Sequence, residues 1–414
     1  MARRPLDGIR VADFTWVWAG PYCTLQLAHL GADVIRIETP TRPCITRVIP
    51  PWPEGKPGGL NRSGYFNQYN QGKRSLTLNL KDRGAHDVAL KLVAKSDVVV
   101  NNFAHGVMDK MGFGYEVLKQ IKPDIIMITL SGYGDTGPYR DYIAYGPAQV
   151  PLSGLSALTG YKGWPPMHSG FSYADPNAGV HGAFAILAAL YHRKKTGEGQ
   201  YIDMSQWECA MSLLPEGILE YIFNGNEPER SGNADPLMAP HGVFKCRDRP
   251  EKIAGHTIDQ FVSIVCNDDL DWSRLARAMG QAELATEAKF ATLAARKANE
   301  DELEAIINAW TGSRWAEDIA ELLQTVGVAA AVVADNKYLA EDSHLRERGY
   351  WVYLDHPEVG KRQHAGVPWK MGRTATEVRA PAPLIGQHTD AILTELLGYT
   401  TEQVSALRAR GALE

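Results

Sequence analysis

Ile9-Arg10-Val11-Ala12-Asp13-Phe14 is followed by a turn at Ala19-Gly20-Pro21 and a helical run to about Leu30. Gly31-Ala32-Asp33 then breaks that run ahead of the apolar stretch Val34-Ile35-Arg36-Ile37. Strand, helix, break and strand make one βαβ unit. The rhythm continues outward. Ser75 to Leu80 reads as a strand of alternating character and Gly84 to Lys95 as a helix. Val98-Val99-Val100 lies in a strand from Asp97 to Asn101, and Ile125 to Leu130 is an apolar strand. Such alternation predicts a mostly parallel sheet covered by helices, an α/β fold. Tyr201-Ile202-Asp203-Met204 adds a further strand.

The chain has 414 residues, 44% hydrophobic and 22% charged, with a formal net charge of −5. Those values describe a soluble globular protein of two domains, or one large domain with an insertion. No basic excess points to nucleic acid, so a polyanionic ligand needs a local cluster of Lys and Arg. No run reaches the length of a membrane span, and the N-terminus does not lead into a signal core. Cys23, Cys44, Cys209, Cys246 and Cys266 contain no CxxC spacing. They read as buried thiols in a reducing cytoplasm, with no metal site and no disulfide framework. The proline-punctuated stretch from Asn224 to Pro240 reads as a linker. It leads to a smaller mixed domain with two helical stretches, Leu275 to Arg296 and Asp301 to Val326. The domain limits are 1–223, 224–340 and 341–414.

Residues 131–178 are dense in Gly, Pro and Ser, as expected where backbone approaches backbone or ligand. From Tyr142 through Ala174 there is no Asp or Glu, and Asp175 ends that window just before a helical pattern from Val180 to Arg193. A lone carboxylate at the mouth of an apolar, glycine-rich region is what covalent carboxylate chemistry requires. It also reads as an ordinary helix N-cap. Pro176 suits a first turn; Gly179 weakens one. Gly132-Tyr133-Gly134-Asp135-Thr136-Gly137 spells a dinucleotide loop, but Pro138 follows at once and no acid stands about 20 residues on. A glycine loop lining another ligand fits better. Asn70-Gln71-Gly72-Lys73-Arg74 is either a solvated turn or a phosphate clamp. Asn102-Phe103-Ala104, past a strand's C-terminal end, sits where open sheets bind ligands, with Lys110 further on. On strand alternation, Trp16 and Trp18 face one side about Val17, as core or as an aromatic wall. His241 reads as a loop residue or a pocket residue.

Pro5-Leu6-Asp7-Gly8-Ile9-Arg10-Val11, Gly31-Ala32-Asp33-Val34-Ile35, Lys73-Arg74-Ser75, Met111-Gly112-Phe113-Gly114 and Ser131-Gly132-Tyr133-Gly134 form an ordered series. Ala174-Asp175-Pro176, Gly197-Glu198-Gly199-Gln200 and His356-Pro357-Glu358-Val359-Gly360 continue it. Over nearly the whole chain it resembles the family III CoA-transferases, the superfamily of formyl-CoA transferase, carnitine CoA-transferase and 2-methylacyl-CoA racemase. The resemblance implies a Rossmann-like parallel-sheet large domain completed by the C-terminal segment, a smaller α+β domain, and two subunits interlocked as a homodimer or with a related chain. It implies CoA thioesters as substrates, with no permanently bound cofactor and no metal. Asp175 becomes the nucleophile, kept ionised where no neighbouring acid raises its pKa. Trp16, Val17 and Trp18 take the adenine side of the coenzyme site. Tyr69, Asn70, Lys73, Arg74, Asn102, Phe103, Ala104, Lys110, Gly132, Tyr133, Gly134 and Asp135 take the rest, and Tyr145 and His241 stand near the acyl group.

Two departures follow from the same resemblance. Thr39 stands where relatives often carry Arg, and the glycine-quartet loop of formyl-CoA transferases is missing, which disfavours formate and oxalate. Racemases of this fold carry a His about 30 residues before the Asp, where this chain has Tyr145. A phenol with a usual pKa of about 10 is a poor replacement base. A non-catalytic subunit is the remaining alternative. Trp16, Trp18 and Trp164 allow an aryl-substituted dicarboxylate, such as a benzylsuccinate-type acid, as acceptor from succinyl-CoA.

Overall fold

The computed structural model describes residues 4–253 and 255–414. Six parallel strands form one sheet in the order β3-β2-β1-β4-β5-β6: β1 Arg10–Asp13, β2 Asp33–Glu38, β3 Arg74–Thr77, β4 Val98–Asn101, β5 Ile126–Ser131 and β6 Tyr201–Ser205. This is the doubly wound order, whose direction reverses between β1 and β4. The central strands β4 and β5 read as near-continuous apolar runs because both faces are covered. Val98 and Val100 face one core with Leu27, Ala183 and Ile186, while Val99 faces the other with Val88, Leu92, Ile392 and Leu407. β3 stops at Thr77, shorter than the run to Leu80 suggests.

The chain divides into two units. One holds the residues through Ala157, His168–Glu227 and Ser343–Glu414; the other holds Leu158–Met167 and Pro228–Asp342. The second unit carries a three-stranded antiparallel sheet of His241–Lys245, Phe261–Val265 and Ala329–Val332 over a core around Trp272, Phe290 and Trp310. Its two expected helical stretches are each broken. Asp269–Ala278 ends near Gly280, whose φ is +77°, and Glu300–Thr311 ends at Gly312 before Ala316–Thr325 begins. His241 lies on a strand and not in a loop.

Two further expectations are corrected in the first unit. The Asp175 helix spans Ala174–Thr196 and so begins six residues before Val180. Gly179 assists this early start. A Cβ there would stand 2.9 Å from the Ala19 carbonyl oxygen, and one at Gly182 would stand 2.8 Å from Leu130. The missing side chains let the helix lie against the Ala19–His29 helix and the sheet, which offsets glycine's weak propensity. Trp16, Val17 and Trp18 lie beyond the end of β1, and Val17 adopts φ +62°, a left-handed conformation that costs a β-branched residue about 1–2 kcal/mol. Strand alternation therefore does not orient the two indoles. Among the described residues no helix is long and apolar enough to cross a membrane.

Candidate active site

Parallel strands direct their C-terminal ends to one edge of the sheet, and ligands of such folds bind where strand order reverses. Here β1 delivers Trp16–Trp18, β4 delivers Asn102–Ala104 and β5 delivers Ser131 and Gly132. All of them line a cavity of about 470 Å³ with Tyr145 and Asp175. Asp175 is the sole carboxylate of that lining.

Asp175 is not an N-cap. Tyr173 holds that position without a side-chain cap, and Asp175 is the second residue of the helix. Its carboxylate rests against Gly146, where any Cβ would overlap Asp175 Oδ2 and Ser172 Cβ. Burial pushes its pKa up to about 6, and a backbone hydrogen bond from Ala19 opposes the rise. The acid-free neighbourhood does remove repulsion, as expected, but desolvation lifts the pKa all the same. A carboxyl with a pKa of about 6 still favours its ionised form at pH 7. It is thus a poorly solvated carboxylate in the first turn of a helix, whose amides favour an anion.

The Trp16–Trp18 turn is held from two sides. Asn102 Oδ1 accepts from the Trp16 N–H and Asn102 Nδ2 donates to the Trp16 carbonyl, both at 2.8 Å. The Val17 N–H meets Cys44 Sγ at 3.2 Å. Such clamping keeps the left-handed Val17 in place. Asn102, expected as a ligand contact, spends its side-chain amide on this turn, although it also lines the cavity. Trp18 packs against Tyr65, Tyr69 and Phe171.

Several expected contacts lie elsewhere. Lys73 is no solvent-facing phosphate clamp. It is buried, and its ammonium lies 3.3 Å from Asp13, 2.9 Å from the Pro21 carbonyl and 3.0 Å from Asn70 Oδ1. Desolvation lowers its pKa to about 8 against the pull of Asp13. Asn70 is buried and also meets Arg36. Arg74 forks onto Asp33 at 2.8 and 2.6 Å. Tyr69 lines a second, aromatic cavity of about 430 Å³ with Trp18, Tyr22 and Phe171. Lys110 is exposed at the end of Val107–Lys110. Tyr133 packs on Tyr139, Tyr142 and Trp207. Gly134 takes φ +83°, and Asp135 bonds His105 and Tyr201 beside a third cavity of about 290 Å³. His241 belongs to the second unit, with Nδ1 2.6 Å from the Asn233 carbonyl oxygen.

The Asp175 cavity also includes residues that carried no motif: Arg42, Tyr65, Arg140, Gln149 and Gln206. Burial raises the Tyr65 phenol pKa, with Tyr69 and then the Asp175 charge adding to it, so Tyr65 stays an O–H donor. Among the described residues no group of three His, Cys, Asp or Glu is placed to hold a metal.

The pattern that defines CoA-transferase family III matches residues 6–389. The chain belongs to CoA-transferase family III. It is 33% identical over 407 residues to the succinyl-CoA–D-citramalate CoA-transferase of Chloroflexus aurantiacus, covering 98% of each chain. To the succinyl-CoA:mesaconate CoA-transferase of Haloarcula marismortui it is 36% identical over 400 residues, 94% of this chain and 96% of that one. A CAIB/BAIF family protein of Brucella suis has the same fold, with a TM-score of 0.84 at 31% identity over 95% of this chain and 100% of the other. This family III CoA-transferase is accordingly an enzyme whose substrates are CoA thioesters.

Proposed function

We propose that this transferase moves CoA from succinyl-CoA to a dicarboxylic acid through covalent intermediates on Asp175. The observation that carries the reading is the single, poorly solvated carboxylate in a cavity at the sheet's switch point. The Asp175 carboxylate attacks the thioester carbonyl, releasing CoA thiolate and leaving a succinyl–aspartyl anhydride. The thiolate then attacks the aspartyl carbonyl, giving an aspartyl-CoA thioester and free succinate. The acceptor carboxylate attacks that thioester, forms its own anhydride with Asp175 and expels thiolate once more. Attack of the thiolate on the acceptor's acyl carbon yields the new CoA thioester and regenerates Asp175. Dividing one exchange into such steps is the gain of nucleophilic catalysis. The Ala19 amide and the helix N-terminus support the negative charge that collects on the aspartyl oxygens.

The dicarboxylate class rests on the succinyl-CoA-dependent relatives named above. Trp18 and Tyr65, which pack on each other in the wall, favour an acceptor bearing an aryl group, such as a benzylsuccinate-type acid. Incubation with succinyl-CoA and a panel of acids, with CoA thioesters resolved by mass spectrometry, tests this. Turnover of branched or aryl dicarboxylates is expected, and turnover restricted to short aliphatic monocarboxylates contradicts it. A racemase would instead exchange the α-proton of a 2-methylacyl-CoA with deuterium and leave the acid in place.

The reading extends to an interlocked pair of chains in the cytoplasm. Val180, Phe184 and Tyr191 line up along the Ala174–Thr196 helix, and Phe184 is 72% exposed. An apolar stripe of this kind favours burial against another chain. Light scattering is expected to give a dimer, and a monomer with full activity contradicts the pairing.

A further inference from the structure

Coenzyme A carries several phosphate charges, and a chain with a net charge of −5 offers them no general attraction. The cations for them must therefore stand at the site itself. Lys73 is sealed against Asp13, and the charge of Arg74 is already matched by Asp33. Arg36 and Arg47 are buried on Glu38. The cations that line the Asp175 cavity are Arg42 and Arg140. Arg140 pairs with its neighbour Asp141 at 3.3 Å. Arg42 makes no ion pair among the described residues, and its guanidinium carbon lies 5.3 Å from the Trp16 ring centroid. Thr39, three residues earlier, has its hydroxyl occupied by Thr41 and the Glu414 carbonyl.

We infer that Arg42 is the residue that binds a phosphate of the nucleotide end of coenzyme A, with Trp16 as its platform. The inference rests on the Asp175 cavity being the CoA thioester site. Stacking on an indole limits the rotamers of an exposed arginine and leaves its N–H edge free to donate. Trp16 is itself fixed through its backbone by Asn102, so the platform is rigid before ligand arrives. A guanidinium presents two parallel N–H groups to a phosphate, a geometry that lysine does not reproduce.

The test is binding, read by quenching of indole fluorescence, of coenzyme A and of pantetheine, which lacks every phosphate. Arg42→Gln is expected to weaken coenzyme A by about 10- to 100-fold, the range for a lost charge-assisted contact, and to leave pantetheine unchanged. Arg42→Lys should fall between the two. Arg42 is exposed, so an unchanged thermal midpoint is expected to accompany the loss. Unaltered coenzyme A affinity in Arg42→Gln overturns the inference. So does an equal loss for coenzyme A and pantetheine, which would place Arg42 at the acyl or pantetheine end. A wild-type protein that binds no coenzyme A overturns the site assignment as well, a separate and recognisable result.

Discussion

Asp13, at the end of β1, and Asp175, in the first turn of the Ala174–Thr196 helix, live in opposite surroundings. Asp13 is fully buried and takes hydrogen bonds from the Thr15 N–H and hydroxyl, the Thr24 hydroxyl and the Lys73 ammonium. Asp175 has a single backbone bond from Ala19 to set against its desolvation, and its pKa rises to about 6. Burial with a full set of donors makes a structural carboxylate. Burial without them leaves one whose charge is poorly compensated, and such a group gains by reacting or by taking a proton.

The strongest way to break this contrast is to neutralise each carboxylate's environment in turn. Asp175→Asn is expected to lower transferase turnover on the order of 10⁴-fold or more, the scale for loss of a nucleophile. Its thermal midpoint should hold or rise. A carboxylate whose folded pKa lies above its unfolded value loses stability as pH climbs from about 4 to about 6, so removing it costs nothing at pH 7. A capping Asp would instead cost about 1 kcal/mol when removed. Lys73→Met should show the reverse signature. It strands Asp13 without its cation and is expected to cost about 3–5 kcal/mol of stability, seen as a large drop in thermal midpoint. A Lys73 variant that keeps its midpoint and loses only coenzyme A affinity would restore the phosphate-clamp role.

Acidity sharpens the same comparison at smaller scale. Asp175 must be ionised to attack, so kcat/KM should rise with pH through about 6 and then level off. A profile flat down to pH 4.5 contradicts a desolvated nucleophile. Smallest is the effect of the Trp16–Trp18 turn, which follows Asp13 and lines the Asp175 cavity. Asn102→Ala removes two hydrogen bonds from Trp16 and is expected to raise KM for the thioester about 5- to 30-fold with little change in kcat. Val17→Gly in that background should recover part of the loss, because glycine adopts positive φ without strain. An unrescued loss would mean that Asn102 touches the coenzyme directly.

The sheet could be read from the chain because short strand-like runs alternate with helical patterns, and Val98-Val99-Val100 needs cover on both faces. Asp175 was visible as the end of an acid-free window. The Lys73-Arg74 pair misled because two cations beside a glycine look alike whether they point out or in. Their partners Asp13 and Asp33 lie 60 and 41 residues away, and only the strand order brings them together. Arg42 gave no signal for the same reason, since its meeting with Trp16 depends on the fold. Gly179 looked like a helix breaker, whereas its missing Cβ is what admits the helix to the Ala19 carbonyl.

The central claim is that Asp175 carries the acyl group. The most direct measurement incubates the protein with succinyl-CoA, traps with hydroxylamine or borohydride, and maps the modified residue by peptide mass spectrometry. An aspartyl hydroxamate, or the corresponding reduced alcohol, at residue 175 and its absence from Asp175→Asn is the result expected here. Modification at any other residue, or turnover with no trapped adduct, contradicts it.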